Sequence, residues 1–175
     1  MALGALALSG CIDYGDKDAK VPGDDLGHYQ VSASLSSTDC GPDALGTQQL
    51  WEFDVRLSRD GADLFWLNGA EVIAGVVGDD GVSFSFDTLL EYEIEPADPP
   101  HPGCTVLRHD RAEGALSSPD LDVEEFTASL SYRYAQQEGT DCSALVAVPS
   151  GFATLPCEIR YLLSGRRTQA AESQN

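Results

Sequence analysis

The chain has 175 residues, a formal net charge of -19 and 42% hydrophobic residues. That length carries one domain with a real core. A field of that sign repels nucleic acid and anionic lipid headgroups, which argues against both as partners, and no apolar run approaches the ~20 residues that a spanning helix needs.

The chain opens on a short apolar run, residues 2–8, that leads into Ser9, Gly10 and Cys11. A secretory signal combines a basic segment, an apolar segment and a small-residue cleavage site. Leu8-Ser9-Gly10-Cys11 resembles a bacterial lipobox, so residues 1–10 are read as the end of a signal peptide. No Lys or Arg precedes Cys11, and the basic part is therefore expected upstream. The resemblance implies cleavage before Cys11 and two or three acyl chains on its sulfur, palmitate among them. Each buried methylene contributes about 0.8 kcal/mol to such an anchor. It also implies a cell-envelope address. Ile12, standing where an Asp would favour the inner membrane, points to the outer membrane. Residues 11–27 are rich in Asp, Gly, Lys and Pro and read as a flexible tether, with Val21 and Leu26 too isolated to build a buried face.

From residue 28 to 165 the dominant period is two, the signature of strands with one apolar face and one wet face. Tyr29, Val31, Ala33 and Leu35 alternate with polar residues, and so do Trp51, Phe53, Val55 and Leu57. The same pattern recurs at Val82, Phe84 and Phe86, at Leu90, Tyr92 and Ile94, at Phe126 through Tyr134, and at Ile159, Tyr161 and Leu163. Residues 64–67 and 71–77 are more uniformly apolar and read as covered on both faces. Residues 105–111 are ambiguous, because Val106 and Leu107 oppose each other. Asp60-Gly61, Asn68-Gly69 and Asp80-Gly81 are tight-turn signals, and residues 96–103 are too proline-rich for a strand. Residues 166–175 read as a frayed tail. Nine or ten strands in sequence order describe an all-β antiparallel meander. An up-and-down, lipocalin-like barrel is preferred over a β-sandwich because closure removes exposed edges.

Setting Cys11 aside for lipid leaves Cys40, Cys104, Cys142 and Cys157, an even number that implies two disulfides in an exported chain. In a closed meander the first and last strands pair antiparallel. That brings Cys40 and Cys157 to one rim and lets Cys104 meet Cys142 there. The pairing Cys40–Cys157 with Cys104–Cys142 is therefore favoured, with Cys40–Cys104 and Cys142–Cys157 as the alternative. Loops of this length imply about 3–5 kcal/mol per bridge.

Candidates for chemistry are few. His101, His109 and Asp110 could be drawn together as a metal site, although their spacing matches no metal motif. Asp79-Asp80, Asp24-Asp25 and Asp120-Leu121-Asp122 suggest calcium, but none carries the ligand spacing of a calcium loop. No nucleophile elbow, phosphate-cradling glycine loop or zinc-protease helix is present, so no catalytic residue is assigned and no cofactor is expected. The aromatic residues Trp51, Phe53, Phe84, Phe86, Tyr92, Phe126, Tyr132 and Tyr161 either pack a core or line a pocket for a small apolar ligand. The alternating inward faces read as free of charge, so such a ligand would be apolar throughout. An open cavity above about 300 Å³ would favour carriage and a filled interior a structural module.

Together with the lipobox, Cys40-Gly41 after the first strand and Leu155-Pro156-Cys157 before the last resemble small, uncharacterised lipoproteins of myxobacterial or marine type. The resemblance implies no activity. The function expected is that of a lipid-anchored, monomeric, non-catalytic structural or interaction module outside the cytoplasm, which contacts the membrane through lipid and has a protein or a small apolar ligand as its candidate partner. A lipocalin-like carrier is the alternative, and an enzyme stands behind both.

Overall fold

The computed structural model describes residues 22–42, 44, 48–69, 71–149 and 151–168. Cys11, the leader, most of the tether and most of the tail lie outside the described residues.

The period-two segments form eight strands: β1 (Asp24–Thr38), β2 (Leu50–Asp60), β3 (Asp63–Asn68), β4 (Glu71–Val77), β5 (Ser83–Glu95), β6 (Cys104–Leu116), β7 (Glu125–Gln136) and β8 (Cys157–Arg167). They pair antiparallel in chain order and close into a barrel through β1 and β8. The runs expected at 82–86 and 90–95 are one strand, β5, so the described residues hold eight strands rather than nine or ten. The three Asp-Gly and Asn-Gly signals all fall at turns, between β2 and β3, β3 and β4, and β4 and β5. The only helical element among the described residues is a 3-10 turn at Ser143–Leu145.

Both disulfides take the favoured pairing, Cys40–Cys157 and Cys104–Cys142. Each Cys-bearing strand end lies at the rim where β1 and β7 finish and β6 and β8 begin, so both bridges clasp the same end of the barrel.

The other end is closed by packing. Inward glycines on three strands receive three rings. A Cβ on Gly75, Gly114 or Gly165 would overlap the side chain of Phe86, Phe84 or Phe126 respectively. Those rings meet edge to face, with centroids 5.8 Å apart for Phe84–Phe86 and 6.1 Å for Phe84–Phe126. Trp66 covers them from above, 5.6 Å from Phe86 and 5.7 Å from Phe126. Below, the buried Tyr29 hydroxyl donates toward the carbonyls of Leu26 (3.0 Å) and Val123 (2.8 Å). Arg59 ties the turns together by donating to the carbonyls of Gly61, Gly81 and Pro119.

Two boundaries and one assignment of burial differ from the sequence reading. Asp24 to Gly27 belong to β1, not to the tether, and Leu26 is fully buried. A register shift between Asp25 and Gly27 turns it inward, off the simple alternation. At the other terminus Arg166 and Arg167 extend β8, where the Arg167 N–H donates to the Glu124 carbonyl. Finally, β3 and β4 are covered on one face only. Val72 and Val76 point outward and are exposed, and no described element covers them.

The closed end sets two expectations. Gly165→Ala forces the Phe126 ring from its notch and lowers stability by about 1–3 kcal/mol. Tyr29→Phe removes a buried hydrogen-bond donor and costs about 1–2 kcal/mol. Urea unfolding reads both as a lower midpoint at unchanged slope.

Candidate functional site

The rings that fill the closed end stop at Trp66 and Phe86. Above them the barrel holds a cavity of about 180 Å³ that opens at the disulfide-clasped rim. Its floor is Trp66, Phe86 and Phe53, and its apolar walls include Trp51, Ile73, Leu90, Leu130, Tyr132 and Leu163. Trp51 stacks on Phe53 with centroids 4.7 Å apart, which holds both rings against the β1–β2 wall. The buried Nε1–H of Trp51 has no hydrogen-bond partner among the described residues.

The mouth is low on one side for a topological reason. β3 and β4 end in a tight turn at the rim, and β2 continues past β3 from Val55 to Leu50 without a partner on that side. β4 pairs with β5 only at Gly75↔Phe86, Val76↔Ser85 and Val77↔Phe84. Toward the rim these two strands part, and the residues bordering the gap, Glu71, Ile73, Thr88 and Leu90, all face the cavity.

The inner wall is not free of charge, contrary to expectation. In β6 the inward residues are Val106, Arg108, Asp110 and Ala112, because Ala112 sits across from Phe86 and Leu130. Arg108 holds Asp110 with both ends of its fork: Nε donates to Oδ1 and Nη2 to Oδ2, each at 2.7 Å. The guanidinium also lies between two rings, 5.5 Å from the Tyr92 centroid and 5.2 Å from that of Tyr132. Both charged side chains are largely withdrawn from water, at 28% and 20% exposure. Burial pushes the Asp110 carboxyl above its ordinary value in spite of Arg108, and it raises the Tyr132 phenol to about 12.

Of the eight aromatic candidates, Trp51, Phe53, Phe86 and Tyr132 line the cavity. Phe84 and Phe126 are spent in the closed end, and Tyr161 is buried in the wall against Trp51 and Tyr132. Tyr92 reaches the rim, where it covers Arg108. Trp66 belongs to the site as well. It sits in the run 64–67, whose uniform apolarity hides which residues face inward.

The drawn metal set does not assemble. His109 and Asp110 are neighbours on a strand and point to opposite faces, and His109 meets Asp87 outside the barrel at 2.7 Å. His101 is held in the 96–103 loop by backbone bonds to Asp98. The acidic pairs have structural uses. Asp80 accepts from the backbone of Val82 and Ser83, Asp25 binds Arg56, and Asp122 binds Arg167. The tightest grouping of metal-ligand types among the described residues, Asp39, Cys40 and Cys157, has its sulfurs in a disulfide.

No family model, no curated protein and no solved structure matches the chain.

The charged pair makes a pH-dependent expectation. A carboxyl raised in the folded state favours folding most below its unfolded value, 3.8, and that contribution is lost as pH rises through the folded one. Arg108→Met strips Asp110 of its partner and widens that window upward. The variant loses about 1–3 kcal/mol at pH 7 and a smaller amount at pH 4, where the carboxyl is partly neutral. Urea unfolding at the two pH values checks the difference.

Proposed function

We propose that the chain is a lipid-anchored binding barrel working outside the cytoplasm, which holds a small and largely apolar ligand in the upper half of its interior. The observation that carries this reading is the division of the barrel. One end is packed ring against glycine, and the other stays open above a floor of Trp66, Phe86 and Phe53. A structural module has no reason to stop filling halfway, to leave an indole N–H unpartnered or to bury an ion pair in the wall. The cavity of about 180 Å³ falls short of the roughly 300 Å³ that would favour carriage of a drug-sized molecule, so the reading is confined to a smaller guest. It suits a ligand with one ring or a short branched chain, whose remainder projects through the gap between β4 and β5. Two disulfides support a non-reducing compartment, and the lipobox supplies the anchor.

The expectation of a purely structural or interaction module has one observation in its favour, the exposed apolar outer face at Val72, Val76 and Leu89. It is a second reading and is compatible with the first.

The anchor and the cavity are tested separately. Cys11→Ser moves the protein from the membrane pellet to the soluble fraction, and undiminished pelleting refutes lipidation. Native mass spectrometry of the protein extracted from its own membrane shows a bound small molecule. Ala112→Phe, which fills the cavity from β6, loses that mass while keeping the unfolding free energy within about 1 kcal/mol of the parent. Retention of the molecule by Ala112→Phe sinks the cavity assignment.

A further inference from the structure

Resting on that reading, we infer that the ligand of the cavity is a small organic cation, an amine or quaternary ammonium group carried on an apolar body. The residues around the mouth sort by sign in a way that favours a cation. Arg108 is already paired, and offers an anion only the N–H groups that Asp110 leaves. The two ends of its fork hold Asp110, and its faces are taken by Tyr92 and Tyr132. The acids are differently placed. Each Asp110 oxygen accepts one bond from Arg108 and retains lone pairs for another donor. Glu71, on the low side of the mouth, has no ion-pair partner among the described residues. The ionised groups facing the cavity are Glu71, Asp110 and Arg108, so the cavity carries one net negative charge.

The rings point the same way. Aromatic faces attract cations, and the attraction grows where water is excluded. This barrel already places one cation, the Arg108 guanidinium, between two rings. Trp51, Phe53, Trp66 and Phe86 present four more around the empty space. The long-range field agrees, because a net charge of -19 draws cations to the mouth and turns anions away. An apolar cavity ringed by aromatics, edged by acids and set in an acidic protein selects for positive charge and apolar bulk together.

The molecule supplies its own probe. Both tryptophans of the chain, Trp51 and Trp66, line the cavity, so intrinsic fluorescence reports occupancy directly. The experiment uses the full chain with Cys11→Ser, so that no detergent competes for the cavity. Three ligands of similar shape are titrated at low salt: benzyltrimethylammonium, its uncharged isostere neopentylbenzene, and the anion phenylacetate. The expected result is binding of the ammonium at least tenfold tighter than of neopentylbenzene, with no response to phenylacetate. Added salt weakens the ammonium and leaves neopentylbenzene unchanged. Asp110→Asn removes the preference for the ammonium, and Glu71→Gln, an exposed change that leaves the fold intact, reduces it. Equal affinity for the ammonium and neopentylbenzene overturns the inference while leaving a cavity for apolar ligands. Tightest binding of phenylacetate overturns it in favour of Arg108. Silence from all three ligands overturns both the inference and the reading it rests on.

Discussion

Phe84, Phe86 and Phe126 seat against Gly114, Gly75 and Gly165 at the closed end of the barrel, and the placement of everything above them follows from that contact. Three strands must surrender their side chains at one level to admit three rings. The rings then support Trp66, and Trp66 becomes the floor of the space above. Below them Tyr29, Leu26 and Val123 complete the seal. The interior is thus filled upward from one end and runs out of filling at the height where β3 and β4 turn back. The cavity is what remains of an eight-stranded interior when a short hairpin interrupts its wall.

Much of this was legible in the residues. Period-two alternation marks a two-faced strand wherever only one side is buried, and the turn signals at Asp60-Gly61, Asn68-Gly69 and Asp80-Gly81 fixed the meander. Strand direction brings all four cysteines to one rim, and the pairing of the first strand with the last favours the bridges that form over the alternative of Cys40–Cys104 with Cys142–Cys157. What escaped notice did so for specific reasons. Leu26 is the extra residue of a bulge that inverts parity, so counting by two places it on the wrong side. Trp66 lies in a run with apolar residues on both faces, where alternation has nothing to contrast. In residues 105–111 the apolar pair Val106-Leu107 supports either register. Only the partners of β6, which set Ala112 across from Phe86 and Leu130, turn Arg108 and Asp110 inward. The glycine notches have no local signal, since a glycine in a strand reads as weakness until the ring that needs it is known.

An ion pair within an aromatic vessel is an unusual choice on energetic grounds. Withdrawing two charges from water costs more than a single contact returns, unless geometry and further hydrogen bonds compensate. Here the fork is bidentate and two rings flank the cation, yet burial still holds the Asp110 carboxyl above its ordinary value. Apolar residues in both places would pack as well. Keeping the pair gives the wall a fixed dipole at the level of the cavity.

The two ends of the barrel are held by different means. Covalent clasps secure the rim, where loops of varied length meet, while close packing and the hydrogen bonds of Tyr29 and Arg59 secure the base. A change of side chain among the loops is borne by the clasps and leaves the sheet in place. A change among the notched glycines has no such buffer and is felt by the whole sheet. On the proposed reading, drift at the lip can change what the cavity accepts without renegotiating the shape, and that freedom comes from putting both bridges on the same side.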